Sequence, residues 1–208
     1  MDTAEKMLKK VIRMNPELAK AHKDLAIIYL NKRLFDYADD EFQTALSLAP
    51  NDFEVIFEYG NYLYSISKNN DPERYYAKAL EIEPNNVMAL VFTALNKLVL
   101  NQLEESEKYI KKALELEPDH EYVEFCAGRI LYARGEYEEA KRYLVRAVEQ
   151  NPDVETMNTL ALTYYKLGNY EQALNIFISI DKKVPKSISV MMDIARCYKE
   201  LVYNDSAL

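Results

Sequence analysis

Few residues of this chain have the types and spacing that catalysis or metal binding requires. The only histidines are His22 and His120, and neither has a cysteine or a second histidine at metal-ligand spacing. The only cysteines, Cys126 and Cys197, are too few for a disulfide framework and suit a reducing compartment. We therefore expect ordinary solvated or half-buried histidines, no metal site and a cytoplasmic protein.

Acidic pairs and glycines, which serve acid–base and phosphate-binding chemistry elsewhere, have simpler explanations here. Glu104–Glu105 and Glu138–Glu139 open predicted helices, where negative charge interacts favourably with the helix dipole. The chain has 4 glycines, and nothing in it resembles a P-loop or a dinucleotide-binding fingerprint. Cys126 lies beside a small-residue packing position, which favours a buried, inert thiol. The sequence predicts no catalytic residue, no cofactor and no enzyme activity.

Composition argues against further classes of function. The 208 residues are 49% hydrophobic and 29% charged, which is typical of a folded globular chain. No apolar run approaches the roughly 18 residues of a membrane span, and the opening MDTAEKMLKKVIRMNP is charged where an export signal is apolar. The formal net charge of −8 repels a phosphate backbone on average. We expect no membrane span, no export signal and no nucleic-acid partner.

One phrase recurs along the chain at a fixed interval. ALSLAPND, ALEIEPNN, ALELEPDH and AVEQNPDV begin at residues 45, 79, 113 and 147. A period between about 20 and 50 residues is the signature of a repeat architecture. The prolines of this phrase, with one more upstream, stand 34 residues apart at Pro16, Pro50, Pro84, Pro118 and Pro152.

Each repeat reads as two helices joined by a turn. In residues 121–153, EYVEFCAGRILYAR and EYEEAKRYLVRAVEQN are apolar at helical spacing. Gly135 fits the left-handed position at the end of the first helix, and Pro152 ends the second. Small residues recur at one inward position of each helix. In the first helix they are Ala26, Gly60, Ala94, Gly128, Ala161 and Ala195, and in the second helix Ala4, Ala38, Ser106, Ala140, Ala173 and Ala207.

This order of small residues, aromatics and proline on a 34-residue period resembles the tetratricopeptide repeat over essentially the whole chain. The resemblance implies an all-α fold, a right-handed superhelical solenoid of antiparallel helix pairs. The usual early tryptophan is absent, and Lys97 stands where a tyrosine is usual, so we expect Lys97 to snorkel or the unit to repack. The positions of the tryptophan hold His22, Ile56, Leu90, Glu124, Met157 and Met191.

We expect one solenoid domain over residues 1–208. A half repeat covers 1–18, full repeats cover 19–52, 53–86, 87–120, 121–153 and 154–187, and a partial repeat covers 188–208. Pro72 breaks this register, so the second helix of its repeat should start late, with Asp71 as the cap and Pro72 at the first helical position. The last helix is apolar on more than one side, so Ile194, Tyr198 and Leu201 should be partly uncovered or covered by another molecule, with the native chain continuing past Leu208.

The resemblance also implies where a partner binds, because first helices line the concave face in this family. We name the residues that the register places there the first-helix stripe. It is apolar and aromatic with one arginine, which favours an interaction surface, although some members could instead be interior residues of the stack. The stripe comprises Phe57, Asn61, Tyr64, Met88, Val91, Leu95, Leu98, Tyr122, Phe125, Arg129, Tyr132, Asn158, Leu162 and Tyr165.

Three hypotheses for function follow. The first is a non-enzymatic scaffold that binds a protein segment or helix in the groove. The second is a structural module that self-associates end to end through its C-terminal helix. The third is the regulatory segment of a larger enzyme. The carboxylate clamp by which some family members hold chaperone tails is absent, because Lys23 is followed by residues that do not fit it. These are Ile27, Glu58, Met88 and Phe92.

Overall fold

The computed structural model describes residues 2–66 and 71–205, and this part of the chain folds into twelve α-helices with no strand. Most helices span 13 or 14 residues, as about four turns of a repeat helix require. In chain order they are α1 Asp2–Met14, α2 Ala19–Asn31, α3 Phe35–Leu48, α4 Phe53–Ile66, α5 Glu73–Ile82, α6 Val87–Val99, α7 Leu103–Leu116, α8 Glu121–Arg134, α9 Tyr137–Gln150, α10 Val154–Lys166, α11 Tyr170–Lys183 and α12 Ile188–Asp205.

Prolines mark the end of every second helix. Six helices each end two residues before a proline: α1, α3, α5, α7, α9 and α11. Proline has no amide hydrogen with which to continue the helical hydrogen-bond ladder, and it disfavours helical geometry in the residue before it. The prediction that a proline ends the second helix of a repeat is thereby confirmed. The six are Pro16, Pro50, Pro84, Pro118, Pro152 and Pro185.

The turn inside a repeat uses a left-handed residue. Gly135 and Gly168, at the ends of α8 and α10, have φ values of 83° and 77°, and the predicted left-handed position of Gly135 is thereby confirmed. Arg33 and Asn101 adopt φ values of 58° at the same place in earlier repeats, although neither is glycine. The turn is therefore set by the repeat geometry, and glycine only makes it easier to adopt.

The helix that follows Pro72 starts late as predicted, but Pro72 stands at its N-cap position and not at the first helical position. Helix α5 has 10 residues, and the Oδ1 atom of Asp71 accepts a hydrogen bond from the Glu73 amide at 3.1 Å. The backbone of Pro72 is already helical, with φ of −70°, and its carbonyl accepts from Tyr76. The residues between Ile66 and Asp71 lie outside the described part of the chain.

The chain divides into two compact units, residues 1–96 and 97–208. In the first unit α2 packs against α3 and α4 against α5, with α1 on α2. Its core gathers tyrosines and a phenylalanine around small residues, and burial of each large apolar side chain contributes about 1.5–3 kcal/mol. The buried core residues are Leu25, Ala26, Tyr29, Ala38, Phe42, Tyr59, Tyr62 and Leu63.

In the second unit the pairs are α8 with α9 and α10 with α11, and α12 packs on α11. Gly128 of α8 makes a very close helix contact, because a Cβ atom there would lie 2.5 Å from Cγ of Leu144 on α9. The predicted small position thus brings these helices close together. The buried residues of the C-terminal core are Met157, Ala161, Ala173, Leu174, Phe177, Ile180, Val190 and Cys197.

The outer side of α12 is uncovered among the described residues. Ile188 is 78% exposed and Tyr198 51%, while Ile194 and Leu201 are half-buried against the core of the second unit. The prediction that Ile194, Tyr198 and Leu201 are partly uncovered is confirmed. Ala207, the predicted small residue of the next helix, lies outside the described residues.

Candidate partner-binding clefts on the first helices

In the first unit, the stripe residues of α4 are half-buried and gather around one aromatic of α6. The ring of Phe92 lies 5.7 Å from that of Phe57, edge-on, and 6.3 Å from that of Tyr64. Asn61 accepts a hydrogen bond from the hydroxyl of Tyr76 at 3.1 Å, so its amide is anchored to the second helix α5. The rings of Phe57, Tyr64 and Phe92 therefore form an aromatic patch in which Phe92 packs against the other two rings.

Two of the four stripe residues of α6 are interior. Val91 is 0% exposed and Leu95 is 3% exposed, whereas Met88 and Leu98 are half-buried. Val91 and Leu95 can support a binding face but have almost no surface with which to contact a partner.

In the second unit, α8 presents four stripe residues. Phe125 is only 5% exposed, while Tyr122, Arg129 and Tyr132 are half-buried. The Arg129 guanidinium lies 5.4 Å from the centre of the Phe125 ring, and its Nη1 atom lies 3.1 Å from Oε1 of Glu155 on α10. Arg129 is therefore already engaged by an aromatic face and a carboxylate of its own unit.

Three stripe residues line one cleft of about 230 Å³ between α8, α10 and α12. Tyr132 comes from α8, and Leu162 and Tyr165 come from α10, so two successive first helices contribute to it. We name this site the tyrosine cleft. Its lining residues are Tyr132, Leu162, Tyr165, Lys166, Phe177, Asp193 and Arg196.

A second cleft, of about 220 Å³, lies at the N-terminal ends of α8 and α10. Two stripe aromatics, Tyr122 and Phe125, lie among three carboxylates in its lining. We name this site the acidic cleft. Its lining residues are Glu121, Tyr122, Phe125, Ala147, Asn151, Asp153, Glu155 and Thr156. The remaining stripe residue, Asn158 of α10, is half-buried and lines neither cleft.

The tyrosines of these clefts can supply apolar contact area and a hydrogen-bonding hydroxyl group, but they cannot act as bases. Burial raises the pKa of Tyr132 and Tyr122, and burial followed by the nearby Glu200 carboxylate raises the pKa of Tyr165. Each phenol therefore keeps its proton at neutral pH. Such rings supply contact area with a polar tip, which suits recognition of a partner.

Four lining residues of the tyrosine cleft were not in the predicted stripe: Lys166, Phe177, Asp193 and Arg196. Arg196 had a usable signal, since it continues the position of Arg129 and Leu162 into the last helix. Its Nη1 atom lies 2.9 Å from Oδ1 of Asp193, and its side chain is still 60% exposed. Lys166 in the last turn of α10 is also exposed.

The residues that could have done chemistry have structural roles. The Cys126 thiol is 0% exposed, and burial raises its pKa to about 12, which makes it a poor nucleophile. The ring of His22 lies between Glu41, at 2.6 Å from Nδ1, and the carbonyl of Pro16, at 2.9 Å from Nε2. His120 caps α8, where its Nδ1 accepts from the Tyr122 amide at 3.2 Å.

Metal centres and membrane helices are both missing from the described residues. In residues 2–66 and 71–205, no three side chains of His, Cys, Asp or Glu come together as a metal site would need. Within these limits no helix combines the length and the apolar character needed to cross a bilayer.

A third cleft, of about 380 Å³, lies beside α9 and contains no stripe residue. Two of its cations are used within the chain. Lys141 lies 2.5 Å from Glu138, and Nη2 of Arg146 lies 2.5 Å from Oε1 of Glu124, which is 0% exposed. The Arg146–Glu124 contact is an ion pair without hydrogen-bond alignment, while Gln150 donates to the other oxygen at 3.0 Å. This cleft is less suited to a partner.

Solved structures with the same architecture identify the fold. TTC0263, a thermophilic tetratricopeptide-repeat protein of Thermus thermophilus, is 17% identical with a TM-score of 0.72, covering 86% of this chain and 98% of its own. YrrB, described as a tetratricopeptide-repeat protein with an unusual peptide-binding site, is 20% identical with a TM-score of 0.63, covering 89% and 96%. A chain of the APC/C hetero-tetramer Cut9–Hcn1 is 15% identical with a TM-score of 0.85, covering 94% of this chain and 39% of its own.

The described residues have the all-α fold of helix pairs found in tetratricopeptide-repeat proteins, as the sequence predicts. Residues 99–180 match the sequence model of a family described as anaphase-promoting complex, cyclosome, subunit 3. No curated protein sequence matches the chain.

Proposed function

We propose that this protein is a non-enzymatic scaffold that binds a peptide or helix of a partner along its first helices. The observation that carries this proposal is the tyrosine cleft. Tyr132, Leu162 and Tyr165 come from two consecutive first helices and together line a space of about 230 Å³. Aromatic and apolar groups in a concave site, flanked by a few charges, are what peptide recognition uses.

Burial divides the first-helix stripe into two roles under this proposal. Val91, Leu95 and Phe125 are at most 5% exposed and pack the interior behind the face. The half-buried members, including Tyr132 and Tyr165, supply the contact surface. The proposal therefore places the partner's main anchor in the tyrosine cleft and not on Phe125.

Two of the similar structures are of proteins described with a peptide-binding site or a protein partner, which supports a binding role. YrrB has a peptide-binding site, and Cut9 is part of a hetero-tetramer with Hcn1. We propose a binding role for the present chain as well. In this proposal the chain forms one continuous repeat array over residues 1–208, with the repeat bounds given above, and acts in the cytoplasm. Its net charge of −8 favours protein partners over nucleic acid.

Self-association is the second candidate, favoured by the exposed side of α12. Ile188, Met191, Met192, Tyr198 and Val202 are each more than half exposed. Apolar side chains clustered on one helix are typical of an interface. Light scattering over a concentration series tests it: a mass that stays that of one chain contradicts self-association. A role as the regulatory segment of a larger enzyme is a further alternative, tested by the length of the native reading frame.

The scaffold proposal is tested by binding measured together with folding. Partners are captured from the source organism's lysate, and the bound segment is titrated calorimetrically against the chain. Tyr132→Ala and Leu162→Ala should weaken binding by about 1–3 kcal/mol, as for central interface side chains. Lys182→Ala on α11, which is exposed, is the control that should leave affinity unchanged. Normal binding by both cleft variants would refute the proposal, and melting curves identify any variant that is simply unfolded.

A further inference from the structure

The tyrosine cleft and the acidic cleft differ in charge. Lys166 and Arg196 lie at the tyrosine cleft together with Asp193, which Arg196 pairs with at 2.9 Å, and with the Glu200 carboxylate, which lies 3.5 Å from the Tyr165 hydroxyl. The exposed cationic surface of this cleft is that of Lys166 and of the 60% exposed Arg196 side chain. An acidic side chain of a partner therefore meets favourable charge here.

The acidic cleft has the opposite sign. Glu121, Asp153 and Glu155 line it, and Arg129 lies beside them, 3.1 Å from Glu155. Its aromatic wall is formed by Tyr122 and Phe125. Carboxylates beside aromatic faces suit a lysine or arginine side chain, which gains both ion pairing and a cation–π contact.

Arg129 shows within the chain that this arrangement holds a cation. Its guanidinium lies 5.4 Å from the Phe125 ring centre and also pairs with Glu155, whose side chain is 67% exposed. A basic side chain from a partner would use the same kinds of group on the open side of the cleft, with Glu121 and the outer surface of Glu155.

The spacing of the clefts sets the spacing of the partner's charges. Glu155 of the acidic cleft and Lys166 of the tyrosine cleft are 11 residues apart on α10, which is about 16 Å at 1.5 Å per residue. An extended chain advances about 3.3 Å per residue and covers that distance in about five residues. We propose that the partner is an extended segment with a basic residue in the acidic cleft and, about five positions away, an acidic residue beside an apolar one in the tyrosine cleft.

This inference rests on the proposed function and names the chemistry of the ligand. It is tested by selecting a display library of random 12-residue peptides on the full chain and on two charge-reversal variants. Lys166→Glu inverts the charge at the tyrosine cleft. Lys182→Glu is the matched control, because Lys182 is also an exposed lysine in the last turn of a helix, here the second helix α11.

The wild-type chain should enrich peptides in which Lys or Arg stands about five positions from Asp or Glu. Lys166→Glu should select peptides that lack the acidic residue, and should bind a wild-type-selected peptide about three- to tenfold more weakly, as expected for a reversed, partly exposed pair. Glu155→Gln should weaken the same peptide to a similar extent through the basic residue. Lys182→Glu should select and bind as the wild type does.

Two failures are distinguishable. Enriched peptides with no such charge pair, or an unchanged selection on Lys166→Glu, would overturn the inference while the groove itself still binds peptides. No enrichment by any form of the protein, with melting curves showing that it is folded, would count against both the inference and the scaffold proposal.

Discussion

Replacing Gly128 by alanine should destabilise the second unit by about 2 kcal/mol. The new Cβ atom would lie 2.5 Å from Cγ and 2.7 Å from Cδ2 of Leu144. Leu144 is 0% exposed, and the new Cβ atom would clash with its branching carbon Cγ, so the side chain cannot move out into solvent to relieve the clash. Overpacking of this kind costs about 1–3 kcal/mol, and we take the upper end because of the short distance. The helix propensity of alanine is about 1 kcal/mol more favourable than that of glycine, so the net loss of stability is about 2 kcal/mol.

The assay is thermal and urea unfolding followed by circular dichroism. In a chain of this size about 2 kcal/mol corresponds to a fall in Tm of about 4–8 °C. Leu144→Ala alone should cost about 2–5 kcal/mol by leaving a cavity. Adding Gly128→Ala to that variant should cost nothing or stabilise, because the clashing atoms are gone. A Gly128→Ala single variant as stable as the wild type would refute the claim that this contact limits how closely α8 and α9 approach.

Three other predictions use local features. Pro72→Ala should change stability by no more than about 1 kcal/mol, since alanine can keep the helical φ of −70°; a loss of several kcal/mol in urea unfolding would contradict this. Burial raises the pKa of Glu124 above its ordinary value of 4.5, so the folded chain holds this proton to higher pH and stability falls as pH rises above 4.5. Glu124→Gln should reduce the fall in stability as pH rises above 4.5; an unchanged pH dependence of unfolding would contradict this prediction. Tyr198→Glu should leave the mass of the chain monomeric at concentrations where the wild type self-associates, if the α12 surface is used; light scattering decides.

The repeat was predictable because its signals are local. A proline ends a helix wherever it stands, and a glycine at the end of α8 or α10 adopts positive φ without help from distant residues. Pro72 with Asp71 was likewise readable as a late helix start. Arg33 and Asn101 could not be identified in this way, because the packing of the two flanking helices imposes their left-handed geometry.

The candidate site was only partly predictable. A 34-residue register gives the face on which a side chain lies but not how much neighbouring helices cover it. It therefore grouped the buried Val91 and Phe125 with the half-buried Tyr165. Charge partners between helices were equally hidden, since Arg129 and Glu155 are far apart in sequence and meet only through packing.

Site-specific photo-crosslinking tests the scaffold claim most directly. The photoreactive residue p-benzoylphenylalanine replaces either Tyr165, in the tyrosine cleft, or Tyr143, on the second helix α9, and the chain is irradiated in cells of its source organism. Both positions are half-buried tyrosines, so the two variants are matched in size and environment. The account predicts a crosslinked partner protein from position 165 and none from position 143. Crosslinks from position 143 alone, or none from position 165 in a folded chain, would contradict it.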